Sequence, residues 1–216
     1  MDFMSIVEQI IGGFGTTLLI FFFTLLFSMP LGILFALARM SKFKPLNWFM
    51  QVCISILRGT PLMLQLIVVF FMPYYVFGIK LSAGWRAYAA LIGFSVNYAA
   101  YFGEIFRAGI EGVPVGQHEA AEVLGFTRAQ TFWKIVFPQM VKRVIPPVTN
   151  EVITLVKDTS MAFAIAYVEM FTLAKQVAAQ QSSIAPLFVA GLFYYVFNFI
   201  VAWAMGRLEK RLSYFE

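Results

Sequence analysis

Charged residues are few in this sequence: Asp, Glu, Lys and Arg make up 12% of the chain, where a soluble domain has about a quarter. There is one cysteine, Cys53, inside an apolar run, which excludes an internal disulfide and says nothing about redox compartment. One cysteine and one histidine, His118, cannot build a usual zinc site, so no metal site is expected. No glycine-rich loop ends in Gly-Lys-Ser or Gly-Lys-Thr, which excludes ATP binding by that route. The serines have no second histidine-type base to activate them, so no catalytic residue is expected. No Lys or Arg precedes Arg39, so the first apolar run lacks the basic flank of a cleaved signal peptide. No internal repeat or low-complexity tract is visible.

What fills the 216 residues is apolar: 61% are hydrophobic and the mean hydropathy is +0.80. This composition predicts an integral membrane protein, all-α, a polytopic bundle of helices forming a single domain over residues 1–216. Apolar segments run over roughly 10–40, 46–78, 84–112, 138–156 and 186–205, giving about five transmembrane helices. Within the second, Arg58-Gly59-Thr60-Pro61 predicts a bend or break, tolerable in a membrane only where it lines a cavity or is buried in protein. Pro146-Pro147 predicts a disruption in the fourth. Residues 159–185 are too polar and too short in apolar run for a simple span, and short helices at the outer surface are expected there.

The longest polar stretch, Glu104 to Arg143, interrupts this pattern. Ionised side chains are expensive in hydrocarbon, so the stretch lies in water. Pro114 and Gly116 end one helix, 117–124 reads as a short helix, and Gly125 suits a C′ position with φ > 0. Thr127 and Gln130 have capping-box spacing for a second helix. Two readings fit: a solvated loop on the membrane surface, or a docking element whose small Ala120 and Ala121 allow close approach to a partner. His118 is expected on the wet surface.

The series Glu119-Ala120-Ala121, three residues, Gly125, nine residues, Ile135, one residue, Phe137-Pro138 resembles the EAA loop of ABC importer permeases. Phe137 stands where that family usually has Leu. Arg58-Gly59-Thr60-Pro61, Gly116-Gln117 and Lys157-Asp158-Thr159-Ser160 resemble motifs of the branch that takes up polar amino acids of the histidine, arginine, glutamine and glutamate type. The resemblance spans roughly residues 10 to 210. It implies a transport subunit rather than an enzyme, in the cell membrane of a prokaryote. The coupling loop, about 113–138, would engage separate ABC ATPase subunits through Gly116, Gln117, Glu119, Ala120, Ala121 and Gly125. It further implies a second permease copy or close paralogue, an extracytoplasmic substrate-binding protein, and no cofactor in this chain, ATP and Mg²⁺ being bound by the ATPase. No nucleic-acid partner is implied, and the net charge of +5 has another explanation.

That explanation is topological. With the N-terminus outside and five spans, the cytoplasmic side holds Arg39, Lys42, Lys44, Arg58, Arg107, Arg128, Lys134, Lys142, Arg143, Arg207, Lys210 and Arg211, 12 of the 16 basic residues. The positive-inside rule thus puts the 113–138 loop and the C-terminus in the cytoplasm, independently of the resemblance.

Ionisable residues inside the apolar segments are functional candidates by default. Glu151, Thr154 and Asp158 share one face of the fourth segment, and Asn97, Tyr101 and Glu104 one face of the third. Glu151 has no cation at i+3 or i+4 and is expected to face a substrate with Asn97, Tyr101, Thr154 and Asp158. The bland alternatives are a pair with Lys157 or Arg86, a protonated carboxyl, and interhelical hydrogen bonds. Arg58 and Glu104, of opposite charge at similar depth, are expected to form a structural ion pair. A carboxylate at the binding site favours a basic amino acid. A neutral one such as glutamine remains possible through its α-ammonium. An ion-coupled secondary transporter and a membrane scaffold are the rival functions.

Overall fold

A computed structural model describes residues 3–212, and among them there are helices and no strand. A short helix α1 (Phe3–Ile11) turns through Gly12-Gly13 into α2 (Phe14–Arg39). Then come α3 (Lys44–Gly59), α4 (Leu62–Phe77) and α5 (Trp85–Glu111). The polar stretch forms α6 (Val115–Val123) and α7 (Arg128–Thr131), and a π-helical turn over Phe132–Val136 runs into α8 (Phe137–Asp158). A 3₁₀ segment, Thr159–Ile165, then leads to α9 (Met170–Gln181) and α10 (Ala185–Leu212).

The all-helical expectation holds, with local corrections. A short helix, α1, precedes the first apolar segment and is set off from α2 at Gly12-Gly13. The second segment is broken at Gly59-Thr60-Pro61 as expected, with α3 and α4 meeting at 112°. Pro146-Pro147 does not break α8, which runs through both residues. Neighbouring helices in a bundle can absorb the loss of one or two backbone donors. Two stretches, Met4–Arg39 and Ala185–Leu212, are long and apolar enough to cross a membrane unaided.

The most extensive helix pair is α2 with α5, and small residues allow it. A Cβ on Gly32 would lie 2.8 Å from Phe102 Cβ, and one on Gly103 would lie 2.9 Å from Phe35 Cβ. In lipid, close backbone approach replaces the hydrophobic drive as the source of packing energy. The core formed around this pair includes Ile20, Phe21, Leu66, Phe94, Tyr98, Phe102 and Leu155.

A second fixed point is Glu169, wholly buried at the N-cap of α9. Its carboxylate accepts from the N–H groups of Phe171 (2.6 Å) and Thr172 (2.8 Å), from Thr172 Oγ1 (2.9 Å) and from Tyr194 Oη on α10 (2.9 Å). The turn before α2 packs directly on it: a Cβ on Gly13 would meet Met170 N at 2.6 Å and Glu169 C at 2.7 Å. Those are backbone atoms and cannot swing away. Gly13→Val is expected to destabilise the protein by about 1–3 kcal/mol through overpacking. Gly15→Ala, where a Cβ meets nothing within 4 Å, should be close to neutral. Thermal unfolding of the two variants in detergent checks the contrast.

Candidate functional site

The break between α3 and α4 is where the site begins. Helix α3 stops at Gly59 because Thr60 is extended (φ −119°, ψ 149°), as a residue before proline prefers to be. Its last carbonyls lose their intrahelical donors and must find others. Gln65 Nε2 donates to Leu57 O (2.7 Å) and to Thr60 O (3.1 Å). Asn97 Nδ2 reaches from α5 to Leu57 O (3.1 Å) and to Gln65 Oε1 (3.0 Å). Thr60 Oγ1 returns to Ile56 O (2.8 Å). Two side-chain amides thus hold the break open in a fixed shape.

Beside the break lies a cavity of about 660 Å³. Thr60 to Met63 line it from the break, Asn97, Tyr98 and Tyr101 from α5, and Glu151, Thr154 and Asp158 from α8. The five side chains expected at a substrate site are therefore brought together, although they come from helices distant in sequence. Asn97 is only 3% exposed, and its Nδ2 is engaged in supporting the break. Asp158 accepts a hydrogen bond from Tyr98 Oη at 2.7 Å, which fixes one carboxylate oxygen. Tyr98 and Gln65 escaped the sequence reading. Tyr98 lies three residues before Tyr101 and so near the same helix face, a signal that was present. Gln65 gave none, because its role exists only once the helix is broken.

The expected ion pair between Arg58 and Glu104 is not formed. Glu104 is bonded to Arg107 on its own helix, at 2.6 Å, and Arg107 also pairs with Glu111. An i+3 partner on the same helix is always within reach, and it wins over a cation across a helix gap. The Arg58 guanidinium lies instead over the Tyr101 ring, 5.2 Å from its centroid.

The polar stretch folds as its local chemistry predicts. Gly125 has φ +76°. Phe126 N–H donates to Ala121 O (3.0 Å) and Gly125 N–H to Glu122 O (2.9 Å), the paired bonds of a Schellman motif. Thr127 and Gln130 form a complete capping box. Gly116, Gln117, Glu119, Ala120 and Gly125 are exposed, but Ala121 is wholly buried. Ala121 therefore cannot touch a partner, and its small side chain serves packing within the chain. Around these residues Val115, Val123 and Leu124 are exposed apolar side chains, Val123 at 88%. Among the described residues no cluster of His, Cys, Asp or Glu could hold a metal ion.

Residues 28–214 match the family described as binding-protein-dependent transport system inner membrane component. The chain is 36% identical to the L-cystine transport system permease protein TcyB of Bacillus subtilis, over 94% of this chain and 86% of that protein. It is 35% identical to the arginine transport system permease protein ArtQ of the same organism, over 99% and 98% of the two chains. It is 34% identical to the putative glutamine transport system permease protein GlnP of Rickettsia bellii, over 87% and 85%. Among solved structures, an amino acid ABC transporter with histidines superposes with a TM-score of 0.87 at 28% identity, covering 98% of this chain and 99% of that one. The MetNI methionine ABC transporter shares the fold, with a TM-score of 0.70 at 18% identity, over 99% and 100% of the two chains. The chain belongs to the binding-protein-dependent transport system inner membrane components. It is a permease of the ABC amino-acid importer class, a membrane subunit without a catalytic activity of its own.

Removing either amide takes away its bonds to the break and its bond to the other amide, at about 0.5–1.5 kcal/mol for each. Gln65→Leu and Asn97→Leu are each expected to lower the unfolding temperature. The double variant should lose less than the sum, because either single change already breaks the bond between the two amides and leaves the other amide without its partner. Thermal unfolding of the three variants checks this.

Proposed function

We propose that this chain forms the pathway for a basic amino acid, with Glu151 and Asp158 as the groups that select it. The observation that carries the reading is the cavity beside the break, where both carboxylates share one lining with Asn97, Tyr101 and Thr154 and no Lys or Arg contributes to the wall. In a site of low dielectric a carboxylate attracts a cation far more strongly than in water and repels an acidic side chain by the same amount. Asn97 and Tyr101 offer neutral hydrogen-bonding groups, and the Tyr98 bond keeps Asp158 aimed. The arginine permease among the relatives agrees with this substrate class. The cystine and glutamine permeases favour a second reading, a neutral amino acid whose α-ammonium meets Glu151.

The coupling surface is the 113–138 loop, with the exposed Gly116, Gln117, Glu119 and Ala120 and the apolar Val115, Val123 and Leu124 against an ABC ATPase subunit. ATP and Mg²⁺ would be held there and not in this chain. A second copy of the permease, or a close paralogue, would complete the pathway. A substrate-binding protein would deliver the amino acid from outside, with the N-terminus on that side and the C-terminus in the cytoplasm. Nucleotide-driven motion of the loop would rock the helices around the cavity, giving alternating access.

Two experiments test these assignments. In proteoliposomes holding the complete transporter with its binding protein, arginine should compete strongly for uptake and glutamate should not. Glu151→Gln should lower arginine uptake at least tenfold. Competition by glutamate alone, or undiminished arginine uptake by Glu151→Gln, would refute the substrate assignment. At the loop, Gly125 has open space around it but a left-handed backbone, so Gly125→Val meets strain of about 1–3 kcal/mol from conformation alone. ATP hydrolysis stimulated by the binding protein should fall, while that protein still binds its amino acid normally. Unchanged stimulation would count against docking through this turn.

A further inference from the structure

We propose that Arg58, stacked on Tyr101, is an electrostatic barrier that slows exchange of a cationic amino acid between the substrate cavity and the coupling-loop side. The inference rests on the basic-substrate reading above. Both salt bridges among the described residues belong to Arg107, so Arg39, Arg58 and Arg143 have no carboxylate within ion-pair distance there.

Those three guanidiniums are gathered in one place. Two cavities, of about 450 and 390 Å³, lie side by side and share Arg58 and Glu104 in their walls. Arg39 lines the first, and Arg107 and Arg143 the second. Four guanidiniums therefore face one lining carboxylate, already bonded to Arg107. These cavities are on the side of the 113–138 loop, since Arg143 donates to the carbonyl of Gly112 immediately before it. The substrate cavity has the reverse composition: Glu151 and Asp158, and no Lys or Arg.

One side chain divides the two regions. Tyr101 lines both the acidic cavity and the adjoining basic one, and the Arg58 guanidinium covers its ring. The sign of the wall thus inverts across a single aromatic residue. A cation in the acidic cavity is held by its carboxylates. A cation approaching from the basic side meets Arg58 first, and the Tyr101 ring face that could have attracted it is already taken. In a confined site of low dielectric this repulsion is much stronger than in water. An amino acid with a neutral side chain carries no net charge and passes the same point without that penalty. The barrier therefore sorts by charge, and it slows release and re-entry alike.

The test is backflow. Membrane vesicles oriented with the coupling loop inside, holding the complete transporter and no ATP, are loaded with labelled arginine or labelled glutamine, and initial efflux is measured. Arg58→Gln is expected to raise arginine efflux about tenfold and to leave glutamine efflux unchanged. Arg58→Lys, which keeps the charge, should stay within about twofold of wild type. In wild type, raising the salt inside the vesicles should increase arginine efflux alone, because the basic cavities are open to screening; this measurement needs no variant to fold. Equal increases for arginine and glutamine would mean a steric plug and would overturn the proposal. So would unchanged efflux in Arg58→Gln, or no effect of salt on wild type. These outcomes are separable from failure of the substrate assignment, which would show as ATP-driven uptake that arginine does not inhibit.

Discussion

The Leu57 carbonyl and its two amide donors hold the geometry on which the site depends. A helix that breaks inside a membrane protein exposes backbone carbonyls where water is scarce, and each unmet group is costly. Here Gln65 answers from just beyond the break and Asn97 from the helix packed alongside. The first bond closes the break upon itself, and the second ties it to α5. Together they allow α4 to leave α3 at 112° and direct Thr60 to Met63 at the cavity. They also put Arg58, the residue before Gly59, against Tyr101. An apolar residue at either amide position would leave the same turn in the chain without the reason to hold it.

The frame around that break is made by close packing and by one buried carboxylate. Gly32 and Gly103 let α2 and α5 approach until side chains touch backbone. Glu169 serves the other end, capping α9 while Tyr194 binds it from α10 and Gly13 packs behind it. A carboxylate so fully supplied with donors is a joint between elements and has no capacity left for a ligand. The acids of the cavity are less engaged. Asp158 accepts a bond from Tyr98, and Glu151 faces the cavity with neither a capping role nor a salt bridge among the described residues. The same residue type thus does two jobs, separated by how many of its lone pairs are already used.

Competition between local and distant partners explains the electrostatics. Glu104 had two cations available, and the one three residues along its own helix took it, since helical geometry brings i and i+3 together without further ordering. Arg58 was left to stack on an aromatic face. The consequence is a chain whose charges are sorted by region, acidic beside the break and basic towards the loop, without paired neutrality at their boundary.

Much of this was legible in the residues themselves. Apolar runs require helices wherever backbone groups must be satisfied without water. Gly125, Thr127 and Gln130 fix the two-helix loop, because φ > 0 and capping-box spacing are local conditions that need no neighbour. The shared face of Glu151, Thr154 and Asp158 follows from helical periodicity alone. Other features were decided only by the tertiary structure. Which cation Glu104 binds, which tyrosine holds Asp158, and that Ala121 is buried within the chain all depend on how separate helices are brought together. Pro146-Pro147 predicts a disruption, yet α8 runs through both residues. Arg58-Gly59-Thr60-Pro61 marks a bend or break, and the neighbouring helices set its angle at 112°. Sequence sets where a helix can fail; the donors that neighbouring helices offer set whether it does, and by how much.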